Sequence, residues 1–171
     1  MSVSVVKLAL LVSHPIHYQV PFFQRLAQQP NIDLTVYFCS NEGVVEKYRE
    51  DLGRSYKWDI PLLQGYRFEF LTNWSPVPSV NTVFGLINPG IIRKMCKEHF
   101  DAILIHGYSH LTNLIAYMFA GLSRTPVLFR GETVLRHGRP WYVQLVKAIL
   151  LKYLFTRTGA FLTIGSRSDE F

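Results

Sequence analysis

Cysteine is scarce in this chain of 171 residues. Cys39 and Cys96 are the two that occur, and their spacing fits neither a metal knuckle nor a redox pair. That excludes a disulfide framework and reads as two reduced thiols of a cytosolic protein. No apolar run reaches the ~18 residues that a transmembrane helix needs. No run of lysine or arginine and no recognisable nucleic-acid motif occurs, so nucleic acid is not an expected partner. There is no internal repeat and no low-complexity segment. Glycine is missing where it would be most telling. The first strand-to-helix loop reads Ser13-His14-Pro15-Ile16-His17-Tyr18. In dinucleotide-binding domains this loop carries G-x-G-x-x-G, so that backbone can approach a pyrophosphate. Pro15 and bulky side chains fill the turn instead, which argues against a dinucleotide site and for a loop that works through its side chains.

Hydrophobic residues make up 49% of the chain and aromatics 14%, too much apolar material for disorder. A chain of this length buries roughly 70% of its unfolded surface as one domain. Eighteen Lys+Arg against twelve Asp+Glu give a net charge of +6, suited to an anionic small molecule or an anionic membrane surface. Three apolar runs end abruptly in polar residues. Leu8-Ala9-Leu10-Leu11-Val12 meets the histidine loop, Ala102-Ile103-Leu104-Ile105 meets His106-Gly107-Tyr108-Ser109-His110, and Pro126-Val127-Leu128-Phe129 meets Arg130-Gly131-Glu132-Thr133. Short continuous apolar runs are strands buried on both faces, as in parallel sheets. Ligands of open parallel sheets bind outside the carboxyl ends of the strands.

The pattern along the chain predicts strands over 6–13, 33–38, 67–71, 101–106, 126–130 and 159–164. The first is read as a strand and not as a signal peptide, because Lys7 interrupts the apolar stretch. Pro21 stands in the first turn of a helix that ends before Pro30. Residues 40–65 read as a long polar excursion and 72–88 as a second long loop, a kind that is usually functional or mobile. Asn88-Pro89 reads as an N-cap with proline at the first helical position, followed by Ile91, Ile92 and Met95 facing inward. Ser109 is the expected N-cap of the next helix. Leu111, Leu114, Ile115 and Met118 are its expected inner face and Gly121 its end. Residues 141–155 form an apolar helix, expected to be buried over the sheet; aromatic and basic residues beside it also fit an interfacial membrane helix. Strands alternating with helices predict an α/β, Rossmann-like, doubly wound and mostly parallel sheet with helices on both faces. Ser166 and Asp169 resemble a capping box one turn before the last residue, Phe171. Residues 1–165 are therefore expected to be one domain of a longer protein, and 166–171 the start of a helix leading to the next.

Ser13-His14-Pro15 after the first strand, His106-Gly107-Tyr108 after the fourth, Arg130-Gly131-Glu132 after the fifth and Ile164-Gly165-Ser166 after the sixth, taken in this order, resemble the amino-terminal half of family-4-type GT-B glycosyltransferases. The resemblance spans nearly the whole chain but only the first of that family's two Rossmann-like domains. It implies a retaining transferase that uses a nucleotide sugar as donor substrate, with no metal and no further cofactor. The amino-terminal domain of such enzymes mostly binds the acceptor, sugar or lipid-linked. The nucleotide sugar is held by a second domain that these residues do not include, so the chain alone is expected to be inactive.

His106 and His110 are the candidate catalytic residues. His106 ends a strand, and His110 opens a helix whose free N–H groups favour anions. His14, His17, Tyr108, Ser109, Arg130 and Glu132 are the candidate substrate-binding residues. Arg130 offers a rigid fork for phosphate or carboxylate, and pairing with Glu132 to fix the loop is its structural alternative. Trp58, Tyr66 and Trp74 lie in loop-rich stretches, where aromatic faces stack on sugars or anchor the loop. The expected setting is cytoplasmic, with a peripheral contact at the inner face of the membrane and self-association as further expectations. The rival readings are a non-catalytic binding subunit that pairs with a separate donor-binding subunit, and a flavodoxin-like nucleotide-binding domain.

Overall fold

The computed structural model describes residues 4–44, 47–49, 54–56, 61–131 and 141–162. Strand β1 (Val6–Val12) leads through a 3-10 turn (His17–Gln19) into helix α1 (Val20–Ala27), and β2 (Ile32–Phe38) follows. A small hairpin, β3 (Lys47–Arg49) and β4 (Arg54–Tyr56), lies in the stretch whose sequence reads only as polar excursion. Then come β5 (Arg67–Phe70), a 3-10 turn (Val83–Gly85), α2 (Gly90–Glu98), β6 (Ala102–His106), α3 (Leu111–Ser123), β7 (Val127–Arg130), α4 (Trp141–Phe155) and β8 (Thr158–Leu162). Thr163 and Ile164, expected in the last strand, and the capping box at Ser166 lie outside the described residues.

The main sheet runs β5-β2-β1-β6-β7-β8, and every neighbouring pair is parallel. Leaving out the hairpin, that is strand order 3-2-1-4-5-6, the order of nucleotide-binding Rossmann folds. The order reverses between β1 and β6, so the switch point lies there. Side-chain alternation divides the core by face. Leu8, Leu10, Val12 and Leu104 pack with Phe23 of α1 on one side of the sheet. Ala9, Leu11, Ile103, Ile105 and Phe129 pack with Ile91 of α2, Ala116 of α3 and Leu154 of α4 on the other. Helices thus cover both faces, as right-handed crossovers to left and right of β1 require. Strand β5 is an edge strand, tied to β2 where Arg67 donates from Nε to Thr35 Oγ1 at 2.7 Å and pairs with Asp33 at 3.3 Å.

Local expectations are corrected at five places. Asn88 does not cap α2: the capping position is Pro89, without a side-chain bond, and the Asn88 amide is spent elsewhere. The N-cap of α3 is His110, not Ser109. Gly121 does not end α3, which continues to Ser123 and closes on Arg124 in the left-handed conformation at φ 56°. Inside the helix, Gly121 leaves room for Arg157, whose Nη1 would lie 3.0 Å from an added Cβ. The inner face of α3 is also turned from the expected one. Thr112, Asn113, Ala116, Tyr117 and Ala120 are buried, while Met118 is 59% exposed. Small residues let the helix approach the sheet, and hydrogen bonds of Thr112 and Asn113 set its rotation. Burial of α4 holds on one side only. Leu154 is buried and Leu150 and Phe155 pack on the core, but Leu145, Ile149 and Tyr153 form an exposed stripe at i, i+4, i+8. A helix apolar nearly all round carries no moment that fixes a face. Among the described residues no helix is long and apolar enough to cross a membrane.

The core has a consequence for alkaline stability. Burial pushes the Cys39 thiol from its ordinary 9.0 up to about 12, against a smaller opposing effect of its hydrogen bond with Thr112. Burial also raises the Tyr37 and Tyr66 hydroxyls from 10.0 to about 12, helped at Tyr37 by Glu98 and Glu69. Below pH 9 the thiol is neutral in both states and costs nothing. Above it the unfolded chain ionises first, so stability falls until the folded thiol titrates. By pH 11, Cys39 alone should cost about 2–3 kcal/mol. Denaturant unfolding at a series of pH values should show the decline starting near pH 9. Cys39→Ala should delay it to the tyrosine range above pH 10. A flat profile from pH 8 to 11 would contradict this.

Candidate functional site

The switch point is built by the ends of three parallel strands, β1, β6 and β7. His106 and Arg130 are register partners on β6 and β7. Alternation places both on the α1 side of the sheet, in line with Leu104 and Leu128. The chain leaving β1 crosses above them. Its 3-10 turn puts Gln19, 0% exposed, against His106, with Gln19 Nε2 2.9 Å from His106 Nδ1. One turn on, the Phe22 ring carries the Arg130 guanidinium at 4.6 Å, a cation–π contact that holds the fork over the first turn of α1.

The turn after β6 is held from below. Gly107 has φ +76°, a conformation that glycine adopts without strain, and its N–H donates to Arg130 O at 2.9 Å. Asn113 of α3 donates from Nδ2 to His106 O and to Gly107 O, both at 3.0 Å. The backbone under His106 is thereby fixed from β7 and from α3. Gln19 Oε1 and Asn113 Oδ1 are buried and meet no donor among the described residues. An unmatched buried acceptor costs about 1–3 kcal/mol, and such orphans in a native structure call for an explanation.

The other candidates separate. His14 and His17 belong to the loop that supplies Gln19. His14 Nδ1 lies 3.0 Å from Ser13 Oγ, and the half-buried His17 meets Tyr18 edge to face at 5.4 Å. The Tyr108 ring turns to the opposite side of the sheet, against Phe129 at 6.3 Å. Ser109 is exposed. The His110 side chain is directed to the 72–88 loop, where Nε2 donates to Val80 O at 2.9 Å. Glu132 lies outside the described residues, as do Thr133 and Trp58. Tyr66 donates its hydroxyl to Leu62 O and packs on Phe23, a loop anchor. Trp74, by contrast, is 70% exposed on the 72–88 loop.

That loop is built rather than loose. Asn73 donates to Gly85 O at 2.8 Å and accepts from Ile87 N at 2.9 Å, and Trp74 N donates to Ile87 O at 2.8 Å. Its last residue, Asn88, is 0% exposed and donates from Nδ2 to Cys39 O and Leu71 O, each at 3.0 Å. These carbonyls follow β2 and β5, so one amide joins two strand ends where their ladder stops. Sequence reasoning missed Gln19 and Asn113, and read Asn88 only as an N-cap. A lone amide in a turn or helix reads as a solvated residue, and no periodicity marks it.

Among the described residues no group of three or more His, Cys, Asp or Glu could hold a metal ion. The constellation brings together an imidazole, a guanidinium and two unmatched amide oxygens, and a guanidinium is a group that pairs with carboxylate or phosphate. Fold and site together define a Rossmann-like α/β domain whose switch-point crevice is lined by side chains rather than by a glycine loop. No protein-family model and no curated protein matches the sequence.

Proposed function

We propose that the chain is the amino-terminal, acceptor-binding half of a retaining glycosyltransferase of the GT-B type, which moves a glycosyl unit from a nucleotide sugar to a sugar or lipid-linked acceptor. One observation carries the reading: a glycine-free histidine loop after β1 that closes on His106 at the β1/β6 switch point. The crevice where a Rossmann domain would take a pyrophosphate on backbone is here furnished with imidazole, amide and guanidinium. In this reading the nucleotide sugar is held by a second domain, and the chain alone does not turn over. His106 and Arg130 contact the substrate in the cleft, His14 and His17 line its β1 side, and Glu132 is proposed as a further substrate contact. Peripheral contact with an anionic membrane surface belongs to the same proposal. It is supported by the net charge of +6 and by the exposed stripe of α4, which ends beside Lys152 and Arg157.

Ligand-observed NMR on the chain tests the reading. Acceptor-type saccharides should show saturation transfer that His106→Ala and Arg130→Ala each reduce at least tenfold, about 1.4 kcal/mol. A dinucleotide should show none. Tight dinucleotide binding that perturbs His106 would overturn the proposal in favour of a nucleotide-binding domain.

A further inference from the structure

We propose that Gln19 is a positioning residue that fixes His106 as the neutral tautomer with its proton on Nε2. The glutamine side chain is wholly buried, and its Nε2 lies 2.9 Å from His106 Nδ1. An amide NH2 is a donor without acceptor capacity. His106 Nδ1 must therefore accept, and the ring proton belongs on the far nitrogen. The other tautomer, or the imidazolium, would set an N–H against an N–H. Gln19 has no evident second task, because its Oε1 meets no donor among the described residues. Folding alone would favour an apolar residue at so buried a position.

The backbone makes the contact a rigid one. Gln19 N donates to Ile16 O at 3.0 Å within the 3-10 turn. Asn113 holds the carbonyls of His106 and Gly107 from the opposite side. The backbone that carries each partner of the Gln19–His106 bond is thus held in a fixed turn. Within the proposed transferase, on which this consequence rests, His106 is then a hydrogen-bond donor to a substrate oxygen and not a general base. Its lone pair is occupied by Gln19.

The tautomer can be read on the chain without any ligand, so the result is independent of whether the chain serves a transferase. Two-bond 1H–15N correlation spectra of 15N-labelled protein at pH 8 should show His106 Nδ1 unprotonated and Nε2 protonated. Gln19→Glu, which accepts where glutamine donates, should move the proton to Nδ1. Gln19→Leu should give a mixture of tautomers, and it keeps the test valid if the buried carboxylate prevents folding. Amide spectra identify the variants that remain folded. Nδ1 protonated in the wild type would overturn the proposal, as would an unchanged wild-type pattern in Gln19→Leu. Failure of saccharide binding with the expected tautomers would instead count against the transferase reading alone.

Discussion

Asn88→Asp is expected to leave the chain unfolded or nearly so, a larger loss than Asn88→Ala. The amide is 0% exposed and uses both of its N–H groups on the Cys39 and Leu71 carbonyls. Its backbone N–H donates to Thr112 Oγ1 at 2.9 Å, and that hydroxyl, with one proton to give, lies 2.9 Å from both Asn88 Oδ1 and Leu86 O. Alanine would orphan two buried carbonyls, at about 1–3 kcal/mol for each group left without a partner, while the Thr112 hydroxyl keeps Leu86 O and the backbone N–H. Aspartate has nearly the same shape but turns a donor into an acceptor. It would set a carboxylate oxygen against two carbonyl oxygens in a site closed to water, and a buried unpaired charge costs more than a lost hydrogen bond. Domain stability is typically only 5–15 kcal/mol, so the difference decides folding. Urea unfolding followed by circular dichroism should show Asn88→Ala reduced by about 2–5 kcal/mol and Asn88→Asp without a cooperative transition. An aspartate variant that melts within about 2 °C of the wild type would refute this account of the junction.

Asn88 also shows where the sequence was legible and where it was not. The sheet strands were readable because burial on both faces writes itself as uninterrupted apolar runs, as in Leu8–Val12 and Ala102–Ile105. The placement of candidate residues at strand ends followed from the same runs, and His106 and Arg130 do stand side by side. The role of Asn88 was hidden, since Asn-Pro before an amphipathic segment is an ordinary helix start. Its true partners lie 49 and 17 residues away in sequence. The face of α3 differs from the one its apolar spacing predicts for a related reason. Apolar spacing pointed to Leu111 and Met118, but two polar residues set the rotation through long-range bonds, with Thr112 Oγ1 donating to Leu86 O and Asn113 Nδ2 to His106 O. The hairpin β3–β4 carries no apolar alternation in Lys47-Tyr48-Arg49 and Arg54-Ser55-Tyr56 to announce it. What periodicity encodes was read; what single polar side chains do across the fold was not.

In the proposed transferase, His106→Ala is expected to remove most activity while leaving the chain folded, and His110→Ala is expected to do less to rate and more to the 72–88 loop. The two histidines looked equivalent in sequence, four residues apart around one glycine turn. The structure separates their side chains. His106 stands on the α1 side of the sheet with Gln19, beside Arg130 in register. His110 is turned to Val80 O, where losing the bond frees a carbonyl of the loop that carries the exposed Trp74. A donor that meets charge developing in the transition state is worth about 2.7–4 kcal/mol, or about 100- to 1000-fold in rate. His106→Ala should therefore lower turnover by that factor. Its melting temperature should fall only slightly, because His106 is half-buried and water can replace the imidazole at Gln19. His110→Ala should cost about 1 kcal/mol of stability, the worth of one hydrogen bond, with turnover reduced about tenfold or less. The measurement pairs single-turnover kinetics of each variant, in a transferase that joins this chain to a nucleotide-sugar-binding domain, with melting curves of the chain alone. Near-normal turnover in His106→Ala would remove the switch point from the catalytic site. Loss of activity in step with melting temperature in both variants would make both histidines structural. A 100-fold loss in His110→Ala at unchanged melting temperature would instead place the chemistry at the start of α3.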